Sequence, residues 1–122
     1  MNQALDKKFA RAYVAQNSGH DFSELRDIAE EIVFITTGYE DEGTLLTSVV
    51  AGLHAFSPTR DIIVPVGNVY INMLTGIVAT ELSKEWGYYK VAIYREKEYH
   101  IQHVALNTVG DLINVYRRNI NS

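Results

Sequence analysis

Cysteine is absent from this 122-residue chain, which excludes disulfides, thiolate metal sites and cysteine nucleophiles. Proline occurs only twice and no low-complexity run is present, so nothing in the sequence reads as an interdomain linker. An excess of positive charge is also missing, since 11 Lys+Arg stand against 15 Asp+Glu for a net charge of −4. That balance argues against nucleic acid as a partner, while one small anion held by two or three arginines remains compatible with it. No long hydrophobic run appears. The stretch Val69–Val78 is interrupted by Asn72, Thr75 and Gly76 and is too short to span a bilayer. The amino-terminal MNQALDKKFARAY has no apolar segment of the secretory kind. The expectation is a cytoplasmic protein with no membrane partner. What is present, 47% hydrophobic and 21% charged residues, is the composition of one folded domain over residues 1–122.

Along the chain, apolar segments with two different periods alternate. KFARAYVAQN (8–17) predicts a strand that ends in the turn formers Ser18-Gly19-His20. Ser23 before Glu24 predicts a short capped helix with Leu25, Ile28 and Ala29 on one face. IVFITT (32–37) is apolar on both parities, as a central strand buried on both faces would be. The acids Glu40-Asp41-Glu42 then introduce a helix from about Gly43 to His54. DIIVPV (61–66) predicts a third strand, with Pro65 near its end because proline donates nothing to a ladder. A long helix over Val69–Lys84 follows. YYKVAIYR (88–95) and YHIQHVAL (99–106), joined at Glu96-Lys97-Glu98, predict a hairpin. Thr108 and Asp111 resemble a capping box for a last helix to Arg118, with a β-rich strand as the competing assignment. The sum is an α/β class, a small three-layer fold with a mostly parallel central sheet, an edge hairpin and two long helices.

Ligands of open parallel sheets bind at the carboxyl ends of the strands. All three strand-to-helix turns carry residue types suited to that task. They are Gln16-Asn17-Ser18-Gly19-His20, then Thr36-Thr37-Gly38-Tyr39, then Gly67-Asn68 leading to Tyr70 and Asn72. Glycine lets backbone approach a ligand, while Asn, Ser and Thr place short hydrogen-bonding groups. The same residues are also ordinary turn formers. No GxGxxG or Walker lysine motif types the site. Catalytic candidates are sparse. His100 and His103 fall on opposite faces of a strand, which disfavours a shared metal. His54 sits near a helix end, and His20 alone lies in a candidate ligand loop. Glu40-Asp41-Glu42 suits a helix dipole, or acid–base work. No metal and no cofactor are expected.

Arginine offers bidentate phosphate contacts at Arg60 and at Arg117-Arg118. Arg60 precedes the third strand, at the end opposite the proposed site, and would reach a ligand only from a neighbouring subunit. The long helix has Val69, Ile71, Met73, Leu74, Ile77, Val78 and Leu82 on more than one stripe, so a homo-oligomer, a dimer or larger, is expected. Thirteen aromatic residues, eight of them tyrosine, suit interfaces and base-stacking pockets, with Tyr13 and Tyr94 as candidates for core filling.

YEDEGTLLTSVVAGLHA resembles the helix entry of nucleoside deoxyribosyltransferase-type enzymes, whose nucleophilic glutamate follows a Gly-Thr pair. Here Gly43-Thr44 is followed by Leu45-Leu46-Thr47, with no acid before Asp61. The whole chain, and FSPTRDIIVPVGNVYINMLTGIVATELS (56–83) above all, resembles the phage anti-Thoeris sponge family. That resemblance implies a non-catalytic oligomer that sequesters glycocyclic ADP-ribose, a cyclic nucleotide signal made by bacterial TIR-domain enzymes, inside the host cell. It implies phosphate-contacting arginines and groups that read the base, placed here on Arg60, Arg118, Asn68, Asn72 and Phe56. With the turn residues Asn17, Thr36, Thr37 and Gly67 these complete the expected ligand site. A glycosidic-bond enzyme acting on nucleosides or nucleotides, and a purely structural assembly protein, are the alternatives.

Overall fold

Five strands form one sheet in the computed structural model, which describes residues 8–37 and 40–121. They are β1 (Phe9–Gln16), β2 (Ala29–Thr36), β3 (Asp61–Val64), β4 (Tyr88–Arg95) and β5 (Glu98–Ala105), in the spatial order β2-β1-β3-β4-β5. The first four are parallel, and β5 pairs antiparallel with β4. The helices are α1 (Leu45–Leu53), α2 (Val69–Leu82) and α3 (Leu106–Asn121), with one-turn 3-10 helices at Ser23–Asp27 and Glu42–Thr44. The α/β class, the mostly parallel sheet and the edge hairpin are as expected, and the parallel set extends to β4.

IVFITT does not become a central strand. β2 is an edge strand on which Glu30, Glu31 and Phe34 are exposed. The central place goes to β3, and beside it β1 is interior too, with Ala12, Val14 and Ala15 fully buried. Small side chains there let layers approach both faces of the sheet. Pro65 falls just past β3, where its missing N–H costs the ladder nothing. Glu96 and Lys97 both take left-handed backbone (φ 55° and 67°), the conformation of a tight two-residue hairpin turn.

Both longer helices of the crossovers lie on one face. Leu45, Val49 and Leu53 of α1 and Ile71, Leu74 and Val78 of α2 are buried against Tyr13, Ile35, Ile63 and Tyr89. Their spacings of three and four residues place them on single helical stripes. The second face carries Ala12, Val14, Ile62, Val64 and Ala92, and its cover is thin. The 3-10 helix Ser23–Asp27 seals it with fully buried Leu25, and Phe22 packs beside it. Because that cover is one turn long, the face stays open toward β4 and β5.

The final segment is a helix, and the strand alternative falls away. α3 follows β5 with no connecting residue, its first N–H (Leu106) donating to the carbonyl of Gly87 at 2.9 Å. Every side chain from Asn107 to Ile120 is exposed. Among the described residues, no helix is long and apolar enough to cross a membrane.

Asp61 opens β3 as a buried carboxylate. Its Oδ2 accepts from the Ser57 N–H at 2.8 Å. Burial pushes its pKa up, more than the Ser57 bond and the charges of Arg11 and Arg60 pull it down. The folded chain therefore holds this proton more tightly than the unfolded one. Its contribution favours folding at low pH and is lost as pH rises from the ordinary carboxylate value, about 3.9, through the raised one. Asp61→Asn keeps an acceptor for Ser57 and removes the titration. The urea midpoint of the variant is expected to gain on the native chain as pH rises from about 4 to 7. Parallel pH profiles would show that Asp61 is not the titrating group.

Candidate functional site

Parallel pairing puts the ends of β1, β2 and β3 on one edge of the molecule. The sheet has its switch point there, between β1 and β3, from which connections leave in opposite directions. Clefts open on both faces of this edge.

On the thinly covered face, two clefts adjoin and share His20, Asp21 and Phe22. One, of about 450 Å³, is completed by Val66, Tyr94 and Tyr99. The other, of about 310 Å³, is completed by Asn17, Ser23, Arg26, Ile32 and Phe34. The aromatic rings form an ordered wall. Phe22 meets Phe34 edge-on at 5.6 Å and His20 edge-on at 6.2 Å, while Tyr94 and Tyr99 lie 4.9 Å apart. The loop after β1 is fixed by the Asn17 N–H, which donates to the Thr36 carbonyl at 3.0 Å. Gly19 turns it at φ 83°. Asp21 Oδ1 then accepts the Ser23 N–H at 2.9 Å, fixing the entry to the 3-10 helix.

The electrostatics divide this region. Hydrogen bonds from Ser23 hold the Asp21 carboxyl below its ordinary range, so it stays ionised at neutral pH. Burial, with the nearby charge of Glu24, raises the Tyr99 phenol and keeps it neutral. Arg26 supplies a cation to the cleft of about 310 Å³, while Tyr94 and Tyr99 line the other.

On the helical face, a cleft of about 180 Å³ lies between the entries to α1 and α2, lined by Gln16, Glu40, Glu42, Leu45, Asn68, Tyr70 and Ile71. Glu40 accepts the Thr37 N–H at 2.9 Å. Gln16 Oε1 accepts the Asn68 N–H at 2.6 Å, and Asn68 Oδ1 caps α2 by accepting from Tyr70 N and Ile71 N at 2.7 and 3.3 Å. Gly67 is required here. Its φ is 90°, and a Cβ would collide with the Gln16 side chain. Asn72 ties the same turn by donating to the carbonyls of Val66 and Asn68 at 3.0 and 2.9 Å. Its Oδ1 is buried and accepts no hydrogen bond among the described residues.

The sequence-derived site residues are therefore divided. Asn17 lines the 310 Å³ cleft, and Asn68 lines the 180 Å³ one. Gly67 and Asn72 shape the latter's turn, and Thr37 is tied to Glu40 at its rim. Gly38 and Tyr39 of the second turn lie outside the described residues. Thr36 is buried and donates to the Ala15 carbonyl at 2.8 Å. Phe56 is a core residue, edge-on to Tyr13 and Tyr89. Arg60 is exposed just ahead of β3, at the opposite edge. Arg118 lines an open depression whose walls all come from α3. Tyr13 fills the core as expected, but Tyr94 is half exposed and belongs to the aromatic cleft. Sequence reasoning also missed Asp21, Phe22, Arg26, Phe34 and Tyr99. The turn after β1, with Asn17 and His20, was the local signal pointing there. Among the described residues, no group of three or more His, Asp or Glu side chains is arranged to hold a metal ion. The chain matches no family model, no curated protein and no solved structure.

Proposed function

We propose that this protein binds a nucleotide-type small molecule and holds it without cleaving it. The observation carrying this reading is the aromatic wall, ionised carboxylate and arginine that line adjoining clefts at the carboxyl edge. These are the three chemistries that a nucleotide needs. A base stacks on Tyr94 and Tyr99, ribose hydroxyls donate to Asp21, and a phosphate meets Arg26. Both cleft volumes fall within the roughly 300–1,000 Å³ of small-molecule sites. A cyclic ligand has little conformational freedom to lose, which favours tight capture. The resemblance to the anti-Thoeris sponge family names glycocyclic ADP-ribose as the ligand, an oligomer as the binding form and the bacterial host cytoplasm as the place of action.

Hydrolysis or transfer at a glycosidic bond is the second reading, and Glu40 and Glu42 beside Gln16 and Asn68 favour it. A carboxylate in that cleft supplies the nucleophile or general base that the sequence after Gly43-Thr44 lacks. Its volume of about 180 Å³ is smaller than a nucleoside-sized ligand requires.

One experiment separates the two. The protein is mixed with the product of an activated TIR-domain enzyme and recovered by filtration, and the retained fraction is denatured. Sequestration predicts intact nucleotide in the denatured fraction. Tyr99→Ala is expected to weaken retention at least fivefold, since stacking on one aromatic is worth about 1–3 kcal/mol. Cleaved products that disappear in Glu42→Gln establish the enzyme reading instead. Ligand that passes through the filter unchanged overturns the sponge assignment.

A further inference from the structure

Among the described residues, two apolar surfaces have no cover. On α3, Val109, Leu112, Ile113, Tyr116 and Ile120 are all exposed, and with Leu106 they follow spacings of three and four residues over one side of the helix. Gly110, Asp111, Asn114 and Arg118 take the other side. The second surface lies on the solvent side of the α1–α2 layer, where Leu46, Val50, Tyr70, Met73 and Ile77 are exposed. α1 and α2 pack against each other, so these side chains form one apolar strip over two adjacent helices. An unsupported helix of this length is marginal in water, and among the described residues α3 packs on the core through its first residue, Leu106, while the side chains from Asn107 to Ile120 are exposed.

We propose that α3 is an exchanged arm, laying its apolar side along the α1–α2 strip of a second copy while that copy returns the same contact. Three observations identify the occupant as a second copy. First, the surfaces match in size and length. Each exposes five large apolar side chains, and reciprocal exchange hides both sets on each partner, toward the roughly 800 Å² per partner of a stable interface. At 1.5 Å rise per residue, α3 and α2 also run to similar lengths, about 24 and 21 Å.

Second, the base of α3 is fixed away from the α1 half of its own strip. It leaves β5 with no intervening residue, and the Leu106 N–H is held on the Gly87 carbonyl. β5 is also the sheet edge farthest from β2, against which α1 packs. A short, fixed junction is the geometry from which an element exchanges between copies.

Third, the electrostatics favour α3 lying antiparallel to α1 and α2. Arg117, beside the apolar side near the carboxyl end of α3, then approaches Asp41 and Glu42 at the start of α1. In this arrangement Ile113, halfway along α3, faces Met73, about one turn into α2. The contact is isologous, so it closes as a two-fold dimer and leaves the aromatic cleft on the other face of the sheet uncovered.

Because the chain has no cysteine, introduced thiols report without background. Ile113→Cys and Met73→Cys replace exposed side chains and should leave the fold intact, which circular dichroism verifies. The two full-length variants are mixed, exchanged and oxidised. Exchange predicts disulfide-linked pairs that contain one of each variant, with about half of the chains linked at most because random pairing makes half the dimers mixed. Neither variant alone should link. Linkage of Ile113→Cys to itself would mean that α3 pairs with α3 and would overturn the proposal. So would a link within one chain of the double variant, or a monomer by sedimentation at tens of micromolar. None of these readouts involves the nucleotide, so they stand apart from the sponge assignment.

Discussion

Gly52→Ala is expected to destabilise the protein by about 2 kcal/mol, although alanine is the better helix former. Gly52 is the penultimate residue of α1, where the helix lies directly on β2. A Cβ there would stand 2.8 Å from the Ile35 carbonyl oxygen, 3.0 Å from its Cγ2 and 3.1 Å from its Cα. Two of those three atoms are strand backbone and cannot move aside as a flexible side chain would. The helix must lift away from β2, which loosens Val49 and Leu53 in the core beneath it. Propensity returns at most about 1 kcal/mol, and overpacking against a rigid neighbour costs up to about 3. Clash therefore wins. For a domain of this size the loss lowers the melting temperature by roughly 8 °C. The same exchange at Gly110 has the opposite sign, because nothing lies within 4 Å of a Cβ there. Slower amide exchange in α3 would register that gain. A Gly52→Ala protein as stable as the native chain would mean that α1 does not sit this close to β2.

Local periodicity carried much of the fold. Leu45, Val49 and Leu53 announce α1 because a helix that buries one side must repeat at this spacing, and Pro65 marks the end of β3 because of what proline lacks. Strand order was not legible in the same way. IVFITT reads as central from its own composition, yet β1 and β3 take the interior by pairing Ala12 and Val14 with Ile62 and Val64, some fifty positions away. Nothing local encodes such a pairing. That clefts open at the carboxyl edge was legible from its turn residues, Asn17 and Asn68 among them. The aromatic wall was not, since Phe22, Phe34, Tyr94 and Tyr99 come from four segments and meet only in the folded sheet. Phe56 shows the converse error, an aromatic beside a loop that the core absorbs.

Leu25→Ala should reach both stability and binding, because one side chain holds the cover on the second face. Leu25 is the buried residue of the 3-10 helix Ser23–Asp27 and is fully shielded from solvent. Truncating a fully buried leucine costs about 2–5 kcal/mol through lost transfer energy and the cavity left behind. Here the 3-10 helix can partly collapse into the gap, which places the expected loss near the middle of that range, about 3 kcal/mol. The collapse has a second consequence. Asp21 is fixed by the Ser23 N–H, and Phe22 begins the same turn, so both leave their positions in the clefts when the turn moves. Nucleotide retention is then expected to fall by at least tenfold under conditions where the variant remains folded. Leu53→Ala provides the matched case. Leu53 is equally shielded, but it lies on the α1 face, in a core cluster that contains none of the residues lining the two aromatic clefts. It should lose comparable stability by urea denaturation and keep its ligand. If both variants retain ligand equally well, the 3-10 helix does not shape the site. If both lose it in proportion to stability, the effect is unfolding and not displacement of Asp21 and Phe22. Only loss confined to Leu25→Ala ties the thin cover of the sheet to the chemistry of its edge.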